Sequence, residues 1–245
     1  MHLGQETLTS NVTLLTSVAA AAALAWGCVG ARREVRRSQL PALLAATVFI
    51  FLAQMVNCSM GLGFSGHLLG AALLVALFGP FSAMLSIATV LFSQIILLGD
   101  GAWSSLGANF LNMGVVAVWV SFAVIRLLDR LIKAQGVLAR SVALATAAYL
   151  SILGVTVSLS WMTGVQLSVL LYPHSLIGFL EAFASLCVMA ACTAGMASAR
   201  SEESASSALK PIVVACIFAL SFVPFSSSLP DGLQYGLNAP QEVSE

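Results

Sequence analysis

Charge is what this chain has least of: Asp, Glu, Lys and Arg together make up 8% of its 245 residues, about a third of the usual share in soluble proteins. A chain this poor in charge, with 59% hydrophobic residues, lacks the polar surface a water-soluble fold needs and reads as an integral membrane protein. It has no dense basic run interleaved with aromatics, so nucleic acid is not an expected partner. It has no GxxxxGK[ST] phosphate loop, so it does not itself supply ATP hydrolysis. Its five cysteines, Cys28, Cys58, Cys187, Cys192 and Cys216, form no CxxC pair. Four of them lie in apolar spans, where a thiol behaves as a small hydrophobe. The opening residues MHLGQETLTSN carry no Lys or Arg and do carry Glu6, the wrong charge for a signal-peptide n-region, so they are expected to be retained.

What the chain does have is long apolar runs, and the expected fold is all-α and polytopic. Counted against the roughly 20 residues that cross a bilayer as helix, eight spans are expected. They run from about Ser10 to Gly30, Pro41 to Met60, His67 to Gly79, Pro80 to Gly99, Leu106 to Leu127, Ser141 to Trp161, His174 to Met196, and Pro211 to Pro224. A loop ending at Tyr172-Pro173 is expected before the seventh. Trp103 and Trp161 suit the membrane interface. SARSEESASSALK, centred on residues 197–210, has linker composition, which divides the chain into a domain of residues 1–196, that linker and a C-terminal segment of residues 211–245.

All ten Lys and Arg residues follow an odd number of expected crossings. By the positive-inside rule their face is cytoplasmic and the N-terminus lies outside. The three histidines, His2, His67 and His174, each follow an even number of crossings, as do Asp100 and Asp231. The imidazoles are thereby expected on the face opposite the basic residues.

A free N-terminus followed by histidine supplies three nitrogens in one short segment: the Met1 amine, the His2 amide and the His2 imidazole. They close two fused chelate rings. One further imidazole, with His67 the natural donor, completes a tetragonal four-nitrogen set of the kind suited to Ni(II) or Cu(II). Because the ligands must lose protons, capture weakens as pH falls. His67 sits in a turn crowded by Gly61, Gly63, Gly66 and Gly70, where missing Cβ atoms permit close approach. His174 is open to three readings: ligand, support for a ligand, or cap at a helix start. Glu181, two turns beyond His174, is an acid inside a span and a functional candidate by default, or else a protonated carboxyl donating to a carbonyl. Asn109 and Asn112, three apart, either hydrogen bond between helices or orient a ligand loop.

The runs GFSGHLLGAALLVALFGPFSAML, LLGDGAWSSLGANFLNMGVV and PHSLIGFLEAF, together with Met1-His2 at the start, resemble the substrate-capture component of energy-coupling factor transporters for cobalt and nickel, the CbiM or NikM family. The resemblance covers residues 1 to about 196. It implies a seven-helix component, in the inner membrane of a prokaryote, that binds Co²⁺ or Ni²⁺ at its outer face through the N-terminal amine, His2 and His67. It further implies a transmembrane coupling subunit of the Q type, two cytoplasmic ATPases of the O type, and a link to cobalamin biosynthesis through cobalt supply. FVPFSSSLPDGLQY resembles the small N component of the same systems, its PDGLE signature standing here as Pro230 to Gln234, so one helix is expected beyond the seven. A separate N-type subunit is a further possible partner. Gln5 and Glu6 stand where the family start MHxxDG has Asp and Gly, and Ala102 replaces the second glycine of GDGG.

Two rival readings remain at this stage. An uncoupled metal permease or metal sensor would use the same ligands without ATPases. An intramembrane serine hydrolase would use the GxSG at Gly63 to Gly66, with Ser65 as nucleophile and His174 as base.

Overall fold

The structure, a computed structural model, describes residues 3–4, 7–61, 63–132, 136–199 and 226–238, with backbone alone for 194–199. The expected eighth span, most of the linker, and Met1 and His2 lie outside the described residues. Six helical stretches are long and apolar enough to cross a membrane. The first, α1 (Ser10–Glu34), starts at Thr9, whose side chain accepts a hydrogen bond from the Val12 N–H and so satisfies one of the unpaired donors of the first turn. A short 3₁₀ turn (Arg37–Gln39) leads into α2 (Leu40–Gln54). Then come α4 (Pro80–Leu98), α7 (Val137–Thr163) and α8 (Leu167–Ala199). The sixth stretch joins α5 (Leu106–Asn109), a π-helical segment (Phe110–Val116) and α6 (Ala117–Leu131).

The third expected span is not a membrane-length helix. Cys58–Ser59 and Ser65–Gly66 form a small antiparallel pair, β1 and β2. The chain then runs irregularly through His67 to Gly70 before α3 (Ala71–Phe78), a helix of eight residues. Connectivity still carries this passage from one end of the bundle to the other. At one end, Glu34 at the close of α1 accepts hydrogen bonds from the backbone of Phe81 and Ser82 at the start of α4 (3.2 and 2.8 Å). At the other, α2 runs out into β1. Seven extended residues at ~3.3 Å and eight helical ones at ~1.5 Å reach about 35 Å at most, enough for a hydrocarbon core of about 30 Å. Irregular backbone is tolerated at that depth only where protein surrounds it. Residues 64–75 are all buried.

A second difference concerns α8, which begins seven residues before His174, at Leu167, and takes Pro173 inside it. Pro173 falls at the end of the second turn, where its ring nitrogen has no N–H to give the Val169 carbonyl four residues back, so one bond of the ladder is missing there.

Following the passages in turn, the residues near 3, 55–66, 99–105, 163–174 and 226–238 share one end of the bundle, and those near 34–40, 79–82 and 131–137 share the other. Every described Arg sits toward the second end, and His67 and His174 toward the first. The segregation of histidine from basic residues expected from the chain is thus present in space among the described residues.

Candidate metal-capture site

Three segments converge at the histidine end. The first is the N-terminal segment. Leu3 is fully buried, and its peptide is gripped on both sides. Its N–H donates to Asn109 Oδ1 (2.8 Å), and its carbonyl accepts from Asn109 Nδ2 (3.3 Å) and from the Ser105 hydroxyl. Asn109 and Ser105 are four residues apart on a helical face, and Asn109 Nδ2 also reaches Ser105 Oγ at 3.5 Å. Asn109 thus bonds the N-terminal segment and Ser105. Asn112 differs: its Nδ2 points to Met162 Sδ (3.5 Å) on α7. The π-helical segment begins between the two asparagines, and wider turns of this kind recur at functional positions.

The second segment is the loop carrying His67. The imidazole is 6% exposed, and its Nδ1 lies 3.1 Å from the Leu68 carbonyl. The two residues that follow are held by Glu181, whose carboxylate accepts the N–H groups of Leu69 (2.6 Å) and Gly70 (2.7 Å). Both oxygens accept, at the N-terminus of α3, where backbone dipoles favour negative charge. Gly70 takes φ +80 there, and a Cβ would lie 2.2 Å from Ile50 Cδ1, so a residue with a side chain would meet both backbone strain and a clash. The Leu69 carbonyl in turn accepts from Gln54 Nε2 (3.0 Å), whose Oε1 accepts from Gln94 Nε2 (3.0 Å). Three polar groups of the unwound backbone before α3 are thus satisfied by two buried side chains, Glu181 and Gln54, with Gln94 bracing Gln54, which offsets part of the cost of leaving it non-helical inside the bundle.

The third segment is the tail. Ser227 N–H donates to the Asn57 carbonyl (2.7 Å), and Asn57 N–H donates to Ser226 Oγ (2.8 Å). Ser65 N–H donates to the Pro230 carbonyl (2.8 Å), and Ser65 pairs with Asp231 in a parallel bridge. A short helix, α9 (Gly232–Asn238), follows, with Asp231 accepting from the Gln234 N–H (2.8 Å) as its cap. Burial opposes charge on Asp231, but neighbouring positive charge, the Gln234 N–H and His67 outweigh it and hold the carboxyl below the usual carboxylate range. Tyr235 packs on Phe64 with ring centroids 5.3 Å apart.

His174 lies beneath this tail. A Cβ on Gly232 would meet His174 Cε1 at 3.4 Å. The His174 Nδ1 bonds the Leu170 carbonyl (2.8 Å), while Nε2 is buried with no hydrogen-bond partner among the described residues. It is thus interior to α8 and not a cap at its start. Asp100 sits in the loop after α4, its N–H donating to the Gln94 carbonyl (3.2 Å). That loop also approaches Asn109, since a Cβ on Gly101 would be 3.9 Å from Asn109 Nδ2.

The arrangement does not form a hydrolase centre. Ser65 Oγ donates to the Leu229 carbonyl at 2.8 Å, and His174 Nδ1 is committed to its own helix, so the nucleophile-to-base hydrogen bond the chemistry needs is not made. Among the described residues no group of three His, Cys, Asp or Glu side chains converges to hold an ion. Met1 and His2, expected to complete the set, lie outside the described residues.

Tail docking depends on close approach at glycine. A Cβ on Gly236 would fall 2.5 Å from Leu170 Cδ2, and one on Gly232 2.9 Å from Ile177 Cδ1. Gly236→Val is expected to undock α9 at a cost of about 1–3 kcal/mol, the usual range for forcing extra atoms into a packed site. Limited proteolysis checks it: cleavage within residues 226–238 should quicken several-fold.

The fold and this end of the bundle define a polytopic helical membrane protein in which buried polar side chains support one non-helical passage. Residues 2–199 match the family described as cobalt uptake substrate-specific transmembrane region, CbiM, and the chain belongs to that family, of the CbiM/NikM type. A putative fused nickel transport protein NikMN of Archaeoglobus fulgidus is 30% identical over 90% of this chain and 75% of its own length. A probable fused nickel transport protein LarMN of Lactiplantibacillus plantarum is 34% identical over 52% of this chain, and the match spans only 39% of that relative. A solved structure described as a truncated transition metal transporter overlays 78% of this chain and 97% of that one, with a TM-score of 0.65 and 24% identity; that likeness speaks to the fold.

Gln54, Gln94 and the docking serines Ser226 and Ser227 were not singled out from sequence. The glutamines had a usable signal, since an amide side chain within an apolar span needs a partner.

Proposed function

We propose that this chain captures Co²⁺ or Ni²⁺ for an ATP-driven energy-coupling factor importer, holding the ion through the Met1 amine, His2 and His67 at the outer face of a prokaryotic cytoplasmic membrane. The two-point grip on Leu3 by Asn109 carries the reading. A chain terminus is ordinarily loose, and a protein that anchors residue 3 in its core holds the first two residues within reach of whatever they bind. His67 lies on a buried, externally braced loop at the same end, consistent with a ligand whose position must not drift. The names of the relatives, fused nickel transport proteins and cobalt transport proteins, agree in the class of cargo. His174, Asp100 and Asn112 take no direct contact with the ion in this reading, and Glu181 acts by shaping the loop that bears His67.

The chain then works with a Q-type coupling subunit and two O-type ATPases, with the tail of residues 226–238 standing in for part of the N component. Orientation follows the basic residues, cytoplasmic at their end, with the N-terminus outside. Reconstituted vesicles holding the chain with and without coupling subunit and ATPases decide the matter. Uptake of radioactive ⁶³Ni²⁺ or ⁵⁷Co²⁺ is expected only with the complete set and ATP. Uptake that ignores removal of the ATPases would mark an uncoupled permease, and tight binding with no uptake under any combination a sensor.

A further inference from the structure

We infer that Asn109, seconded by Ser105, is a positioning residue that sets the register of the metal-binding terminus; the inference rests on the capture reading above and deepens it. The Leu3 nitrogen is the atom bonded to the His2 carbonyl carbon, so a hydrogen bond to it acts two bonds from the His2 Cα. Asn109 Oδ1 takes that N–H at 2.8 Å and Asn109 Nδ2 gives back to the Leu3 carbonyl at 3.3 Å. A carboxamide offers a donor and an acceptor side by side in one plane. Two contacts from one rigid group tie down the peptide groups on either side of Leu3, which a single hydrogen bond does not. Ser105 adds a second donor to the same carbonyl, and the buried Leu3 side chain blocks sliding along the chain axis.

The support continues outward. Asn109 ends α5 where the π-helical segment begins, and two residues earlier Gly107 lets α1 approach so closely that a Cβ there would sit 2.6 Å from Ser17 Cα. The helix that carries Asn109 is therefore locked against α1, the helix into which the terminal segment leads. A bond from Asn109 to Leu3 closes a short loop between two packed elements, so its geometry is dictated by rigid partners.

The experiment titrates NiCl₂ into the purified full chain in nanodiscs and follows both affinity and the ligand-field absorption of the bound ion. In the wild type the spectrum should be that of a planar four-nitrogen Ni(II) centre. Asn109→Ala removes both contacts and should weaken Ni²⁺ binding about 10–100-fold, the range found when an outer-shell partner of a ligand is lost, with the planar band diminished. Asn109→Asp is nearly isosteric and keeps only the acceptor, so it should fall between. Ser105→Ala should give a smaller loss in the same direction. A merely structural role would lower the metal-free melting temperature and leave the spectrum of the bound ion unchanged. Should Asn109→Ala fail to fold, Asn109→Asp and Ser105→Ala decide: both binding within twofold of wild type with an unaltered band overturns the inference. A wild-type chain that shows no planar band overturns the capture reading first and this inference with it, and is told apart because the failure appears without any substitution.

Discussion

One residue added ahead of Met1 is expected to abolish Ni²⁺ or Co²⁺ capture as thoroughly as His67→Ala. The addition converts the Met1 amine, a strong nitrogen donor once deprotonated, into an amide, and carries the new amine about 3.8 Å further along the chain. It also moves histidine from the second position to the third, so the ring between the terminal amine and the His2 amide is lost, and the new amine can bind only through one more backbone amide, a different chelate from the one that leaves a place for His67. A loose terminus could compensate by sliding back one place. This one cannot, because Leu3 is fully buried and its peptide is bonded on both sides to Asn109. Sliding would exchange a buried leucine for an imidazole and leave the carboxamide mispaired. The expected loss exceeds about 100-fold in affinity, beyond what removing an outer-shell partner causes. Equilibrium titration of the extended chain and of His67→Ala, beside the wild type, checks it. An extended chain that binds within threefold of the wild type would remove the N-terminal amine from the ligand set.

The membrane class, six of the crossings and the separation of histidine from arginine were legible because each follows from local quantities: runs of apolar residues long enough for a bilayer, and the placement of a few charges between them. The third passage was misread for the same reason. Its residues, GHLLGAALLVALFG, are as apolar as a transmembrane helix, and hydropathy does not distinguish a helix from an extended run that is buried on all sides. Two observations made the difference in space. Gly70 adopts a left-handed conformation against Ile50, and Glu181, more than a hundred residues later in the chain, supplies the acceptors the unwound backbone requires. Neither partner is visible from spacing. Pro173 was read as the end of a loop, yet it sits inside α8. For Asn109 the sequence leaves helix packing and orientation of a ligand loop both open, with packing the preferred reading, and its bonds to Leu3 are not visible from spacing. The tail contacts pair Asn57 with Ser226 and Ser65 with Pro230, long-range matches between segments with no shared pattern.

Glu181→Ala should be the most destabilising single change in the interior of the bundle. Its side chain is fully buried, and its two oxygens accept the two backbone N–H groups that lead into α3. Without the carboxylate those donors face apolar neighbours, at a cost of about 1–3 kcal/mol each. The cavity left by the side chain adds to this, so the total reaches about 3–5 kcal/mol, a large share of the ~5–15 kcal/mol that holds a typical domain together. Glu181→Gln separates the contributions. It keeps the volume and one acceptor but presents an NH₂ to the second N–H, so it should lose roughly half as much. Both losses should be visible in the metal-free chain as a lowered melting temperature in detergent, since the contact is made between parts of the protein itself. Metal affinity should fall in the same order, because Leu69 and Gly70 follow His67 by two and three residues and their release lets its loop drift. If Glu181→Ala melts with the wild type while metal binding alone is lost, the carboxylate belongs to the ion's environment and the loop is braced by Gln54 and Gln94 instead.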